Sequence, residues 1–214
     1  MKRYLHPVTP AEMSRDLVAL CSELDTGTDP VYVQVRPSDT SQINECFPTV
    51  DAYVAKHGGT RLLGWSLWEF PGLFVDAEFH AVWKSPEGAL VDVTKRNRAI
   101  GSVLFLPAPG LTYTGRQVNN VRRPISLEPL VVEYLATFDD EFELINRGDR
   151  AEQHGEISLG GAEAQEYREI ERRRAATYLH VRDLASAIGP YTPCPCNSGK
   201  KVRWCHGVKS ILCA

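Results

Sequence analysis

The chain has 214 residues, 43% hydrophobic and 24% charged, with 24 Lys and Arg against 27 Asp and Glu. This length and near-average composition exclude a large multidomain machine, wholesale disorder, a collagen-like repeat and a disulfide-dense miniprotein. No apolar run approaches the ~20 residues of a membrane helix, Met1-Lys2-Arg3-Tyr4-Leu5-His6-Pro7 does not lead into a secretory signal, and a formal charge of −3 argues against a surface that attracts nucleic acid everywhere.

Residues 10–24 place Met13, Leu17, Leu20, Cys21 and Leu24 at helical spacing, with Cys21 in the apolar stripe as packing. A turn at Gly27/Asp29/Pro30 precedes a strand over Val31-Tyr32-Val33-Gln34-Val35. Cys46-Phe47-Pro48 opens a helix that Gly58-Gly59 closes, since proline is tolerated in a first turn. His57 falls at its C-terminus, where a cation caps favourably. Strands are expected at Arg61–Phe70, Phe74–Lys84, Ala89–Thr94 and Ser102–Leu106, followed by a long Pro/Gly/Asn-rich arm over 107–126 that carries Arg116, Arg122 and Arg123. Ser126-Leu127-Glu128-Pro129 opens a helix with Leu130, Val131, Tyr134, Leu135 and Phe138 on one stripe. A glycine-punctuated break at 147–161 leads to a charged helix, 162–187. There Glu169 stands four residues before Arg173, and Tyr167, Ile170, Tyr178, Val181, Leu184 and Ile188 form a narrow apolar stripe that needs a partner surface.

Four of the six cysteines crowd the C-terminus, which in a reducing compartment reads as metal binding rather than disulfides. Cys194-Pro195-Cys196, eight residues, then Cys205-His206 supply four soft or borderline ligands, the set a closed tetrahedral zinc site takes. So short a unit buries too little to order itself, so the metal would supply its folding free energy. The run Cys194-Pro195-Cys196-Asn197-Ser198-Gly199-Lys200 resembles the SEC-C motif, the zinc module at the SecA C-terminus. The resemblance implies Cys194, Cys196, Cys205 and His206 as ligands. Asn197 stands where the motif has glycine, and asparagine also tolerates left-handed backbone. A docking role toward a protein partner is implied as well. Lys200, Lys201, Arg203 and Lys209 make the tail basic enough for nucleic acid or a ribosome, and Trp204 offers an aromatic surface. Cys213 is one ligand too many and is expected to be a free thiol.

In Phe74–Lys84, Val75, Ala77, Phe79, Ala81 and Trp83 share an apolar face, leaving Asp76, Glu78, His80 and Val82 on the other. Ser85-Pro86-Glu87-Gly88 fits a type I turn that pairs Ser85 with Ala89. That register sets His80 opposite Thr94 and Asp92 one diagonal step away, within reach of a hydrogen bond. Cys46, at a helix N-terminus whose free N–H groups favour a thiolate, supplies a nucleophile. The same amides could form an oxyanion hole with Gln42, Asn44 or Gln34. Asp76 and Glu78 offer an alternative use of that strand face, as a metal or peptide site.

The order of Cys46 on a helix, then His80 and Asp92 on successive strands, resembles the transglutaminase-like branch of the papain-like fold over residues 40–106. The fold expected is α+β: an antiparallel sheet with a Cys-bearing helix, further helices and a zinc knuckle. Its expected segments are a main domain at 1–146, a linker and charged helix at 147–189, and the SEC-C module at 190–214. Two functions compete. One is a thiol hydrolase or acyltransferase acting on an amide or ester carbonyl through Cys46, His80 and Asp92. The other is a noncatalytic adaptor docking through the zinc tail. A cytoplasmic location is expected for both, and the sequence leaves the oligomeric state open.

Overall fold

The computed structural model describes residues 6–153 and 156–205. Helix α1 (Arg15–Leu24) begins later than the periodicity from Pro10 suggests, because the Ser14 hydroxyl accepts the Leu17 amide N–H at 3.3 Å and caps it there. After strand β1 (Val31–Val35), helix α2 (Cys46–His57) has Cys46 as its first residue. It stops at Gly58, whose N–H returns to the Val54 carbonyl at 2.8 Å. Gly59 follows at φ +82°, and a side chain there would run into the Lys84 carbonyl. His57 is the last residue of α2, its ring packed on that of Tyr53 with centroids 4.2 Å apart.

Strands β2 (Thr60–Phe70), β3 (Phe74–Lys84), β4 (Leu90–Asp92) and β5 (Ser102–Pro107) join β1 in the order β2-β5-β1-β4-β3, and β2 also pairs with β3. Five strands therefore close into a barrel. It is mixed rather than antiparallel as expected, because β1 and β4 run parallel with Gln34 opposite Val91 and Val35 opposite Asp92. The intervening α2 and the β2–β3 hairpin are the crossover that parallel neighbours require. Gly64, opposite Pro107, lets β2 and β5 approach; a Cβ there would strike the Leu106 carbonyl and the Phe105 ring. The barrel unit comprises Cys21–Leu67 and Ala77–Asn120. One of its core clusters joins Cys46 and Val50 of α2 to Leu63, Ala81 and Val93, with Phe47, Phe79, Trp83 and Tyr113 packed around them.

A second unit gathers the segment up to Leu20, Trp68–Asp76 and the described residues from Val121 onward. The arm after β5 is not wholly irregular, since Val121–Pro124 forms a short strand, β6, beside β3. Helix α3 (Pro129–Ile145) opens with Pro129, and the Ser126 hydroxyl accepts the Glu128 N–H at 3.2 Å. A 3-10 turn at Gly148–Glu152 leads toward helix α4 (Gly161–Ala187). Phe70, Leu73, Phe74, Val131, Tyr134, Leu135, Val181 and Ala185 make the buried core of this unit, rimmed by Phe138, Tyr178, Leu184 and Ile188. The narrow stripe of α4 thus finds its partner surface on α3. Glu169 pairs with Arg172 instead of Arg173, because Arg173 reaches across to Glu133 and Asp140 of α3. Among the described residues no helix is long and apolar enough to cross a membrane.

Candidate functional site

The β3–β4 turn fixes the geometry of the barrel site. Ser85 N–H donates to the Ala89 carbonyl at 2.8 Å, Gly88 N–H to the Ser85 carbonyl at 2.9 Å, and Ala89 N–H to Ser85 Oγ at 3.1 Å. Trp83 consequently faces Val91 and Lys84 faces Leu90, the register that Ser85-Pro86-Glu87-Gly88 implies. His80 Nε2 then lies 3.2 Å from Asp92 Oδ1.

Both residues are buried, His80 at 1% and Asp92 at 0% exposure, together with Ser66, Val82 and Thr94. The strand face expected to be the polar side is therefore not solvated. A closed barrel gives every strand an inside, whereas an apolar–polar alternation in sequence distinguishes only an open sheet's core and solvent faces. Every acceptor of the buried carboxylate is used. Asp92 Oδ1 also accepts the Thr94 N–H at 3.0 Å, while Oδ2 accepts Arg96 Nε at 3.0 Å and Nη2 at 2.7 Å. Arg96 Nη1 donates to Glu78 Oε2 at 2.8 Å, and Nη2 reaches Ser66 Oγ at 3.1 Å and stands 2.8 Å from His80 Nε2. Glu78 and Asp76 do not form a shared acidic face. Glu78 is taken by Arg96, and Asp76 lies 3.8 Å from Arg122 in the other unit's own ion pair.

Charge and burial oppose each other at His80. Burial and the Arg96 charge lower its basicity, but the charges of Asp92 and Cys46 and the Asp92 hydrogen bond outweigh them, holding the imidazole up at about 10. Burial pushes Asp92 the other way, yet His80, Arg96 and the Thr94 amide keep it well below the usual carboxylate range. Nε2 is the ring nitrogen that Asp92 and Arg96 occupy.

Cys46 is 6% exposed at the first position of α2. The Thr49 N–H makes an early bond of the helix, to the Glu45 carbonyl at 3.2 Å, and Pro48 has no N–H, so the amides of Cys46 and Phe47 are the first-turn donors left over. The Phe47 ring stacks on Tyr113 with centroids 3.7 Å apart and planes 8° off parallel. The Arg61 guanidinium lies over both rings at 5.9 and 6.0 Å. Tyr113 packs against the core cluster that contains Cys46, and burial, then the charges of Cys46 and Glu45, raise it against the pull of Arg61. A cleft of about 260 Å³, lined in part by Arg61, Leu63, Leu111 and Tyr113, opens in the same unit. Of the three side chains offered for an oxyanion hole, Gln34 is exposed on β1, and Gln42 and Asn44 are exposed before α2, Asn44 at φ +65°.

Sequence reasoning brought Cys46, His80 and Asp92 to one unit and missed Arg96 and Ser66. Arg96 stands four residues after Asp92, a spacing read as a contact on helices but carrying no such signal beyond a strand end.

At the other site, Cys194, Cys196 and Cys205 offer sulfurs that all lie within 4.8 Å of one another, with Cys194–Cys196 at 3.2 Å and Cys196–Cys205 at 3.5 Å. The loop folds back through Cys194 N–H to the Lys200 carbonyl at 2.8 Å and Asn197 N–H to the Cys194 carbonyl at 3.1 Å. Asn197 takes φ +58° and Gly199 φ +73°, the left-handed angles for which asparagine substitutes for glycine. Burial and the two neighbouring thiols push Cys194 up to about 12. Three crowded thiols repel as thiolates, and a divalent soft cation is what such a donor set accommodates. The cluster could hold a metal ion such as zinc. His206, the fourth expected ligand, and with it Lys209 and Cys213, lies outside the described residues.

No protein-family model matches the chain, and neither do the curated proteins or the solved structures.

Proposed function

We propose that the barrel unit is a thiol enzyme acting on an amide or ester carbonyl, and that the cysteine cluster binds zinc as a SEC-C-like docking tail. The observation that carries the first part is the buried His80–Asp92 contact at 3.2 Å in the unit that also holds Cys46 at the start of α2. Cys46, as thiolate, attacks the carbonyl carbon and forms a carbon–sulfur bond. His80 then gives its proton to the departing amine or alcohol as the bond to it breaks. In the second half His80 takes a proton from water or an incoming amine, whose attack expels the thiolate. Water yields hydrolysis and an amine yields acyl transfer. Asp92 orients the ring and stabilises its charged form. The amides of Cys46 and Phe47 face the developing oxyanion, and the cleft beside Tyr113 offers room for the acyl group.

An activated acyl ester tests the chemistry directly. Intact-mass analysis should show one acyl group per chain, on Cys46 by peptide mapping, absent in Cys46→Ser and formed at least tenfold more slowly in Asp92→Asn. Acylation spread over several cysteines, or unchanged in Asp92→Asn, sinks the assignment.

A second reading, a noncatalytic adaptor, is favoured by the tail surface. Trp204 is 61% exposed beside Tyr191, with Arg203 over the Tyr191 ring and Lys201 over Trp204. Exposed aromatics among cations suit a protein or ribonucleoprotein contact. An inert Cys46 together with partner capture that is lost in Trp204→Ala would favour it.

A further inference from the structure

We infer that Arg96 is a positioning residue for the thiol site, clamping the Oδ2 oxygen of Asp92 while Oδ1 faces His80, and acting as the counter-charge that keeps the His80 proton transferable. The role rests on the thiol reading of the site and extends it to how the base is tuned.

The clamp is geometric. Nε and Nη2 both engage Asp92 Oδ2, at 3.0 and 2.7 Å, which leaves Oδ1 turned toward His80 and the Thr94 amide. Glu78 holds Nη1 at 2.8 Å and Ser66 holds Nη2 at 3.1 Å, so with Asp92 the strands β2, β3 and β4 all fix one planar group. A flexible carboxylate would share its two oxygens among His80, Thr94 and water. Here Oδ2 is committed to Arg96, and Oδ1 to His80 and the Thr94 amide.

The counter-charge follows from the same placement. The charges that act on His80 include Asp92 from β4, Arg96 from the segment after it and Cys46 from α2, and those against Arg96 include Asp92, Glu78 and His80 itself. A buried imidazole between a carboxylate and a thiolate holds its proton too tightly to act as a general acid, because both neighbours favour the charged form. Arg96, 2.8 Å from Nε2, opposes them. Nε2 therefore faces an acceptor and a cation at once, and the balance between Oδ1 and Nη2 sets how readily His80 exchanges its proton. Glu78 in turn tempers the guanidinium, so a residue with no contact to the imidazole adjusts it at one remove.

The test is a nitrogen-15 NMR titration of the His80 ring in the full chain, which needs no substrate. Arg96→Gln should raise the His80 proton affinity about tenfold or more, the effect of removing one charge within ~4–6 Å, and Arg96→Lys should return most of it. Glu78→Gln, on the outer edge of the clamp, should lower the affinity, because Arg96 is then less neutralised. It also serves as the decisive variant should Arg96→Gln not fold. A His80 titration unchanged in folded Arg96→Gln, or an affinity that rises in Glu78→Gln, overturns the proposal. Failure of the thiol reading would show separately, as an inert Cys46 in a protein whose His80 still responds to Arg96 and Glu78.

Discussion

At the scale of single residues, the barrel site is an exchange of desolvation for pairing. Asp92 and His80 have given up water, and the carboxylate regains it as contacts to Thr94, Arg96 and His80. Breaking one partner of such a set leaves a buried charge uncompensated. Asp92→Asn should therefore lose about 3–5 kcal/mol in urea unfolding, far more than an exposed carboxylate would. The imidazole is raised in the folded protein from an ordinary 6.5 to about 10, so the folded state binds its proton more tightly than the unfolded chain. Its contribution to stability is complete below about pH 6.5 and is lost as pH rises through about 10. Asp92 has the opposite sign, contributing above its ordinary 3.8 and losing that contribution only as pH falls through its depressed folded value. Unfolding midpoints measured from pH 6.5 to 10 should accordingly fall in the wild type and fall less in His80→Gln. Parallel curves would show that the imidazole is not preferentially protonated in the fold.

At the scale of elements, two junctions carry separable predictions. The Phe47–Tyr113 stack ties the loop after β5 to the first turn of α2, over a thiol that is 6% exposed. Tyr113→Ala should cost about 1 kcal/mol from the ring pair alone and speed the alkylation of Cys46, without moving the pH at which that reaction turns on. Between α3 and α4, apolar packing and ion pairs can be compared directly. Leu135 is buried in the shared core, so Leu135→Ala should cost about 2–5 kcal/mol. Arg173 bridges Glu133 and Asp140 but is a third exposed, so Arg173→Gln should cost under about 1 kcal/mol. If the order were reversed, the charged seam rather than the apolar stripe would hold these helices.

Most elements were legible because their punctuation is local. Gly58-Gly59 ends α2, Pro129 opens α3, and Ser85-Pro86-Glu87-Gly88 sets a register that places Asp92 against His80. Less legible was whatever depends on the sheet closing. The parallel β1–β4 pair, the burial of His80 and the use of Glu78 by Arg96 all follow from which strands become neighbours, and residue spacing does not encode that. Arg96 illustrates the limit: in sequence it is one cation in a polar stretch, and in the barrel it joins Asp92, Glu78, Ser66 and His80.

At the scale of the whole molecule, the cysteine cluster and the barrel site should respond independently to chemistry aimed at either. Freshly purified, reduced protein should carry about one zinc per chain, lost in Cys194→Ser. Chelation should open residues 190–205 to protease while leaving Cys46 reactivity unchanged. Metal content indifferent to Cys194→Ser would remove the tail assignment without touching the barrel. The near-neutral net charge conceals this division, since 190–205 carries Lys200, Lys201 and Arg203 and no acidic residue.

The central claim, that Cys46 is activated by His80, is tested most directly by the pH dependence of iodoacetamide alkylation, resolved at Cys46 by peptide mass spectrometry, in wild type and His80→Ala. Cys46 should be alkylated faster in the wild type than in His80→Ala across the neutral range, with the two rates converging at alkaline pH, where an ordinary thiol is itself ionised. An ordinary thiol titration in both proteins would contradict it.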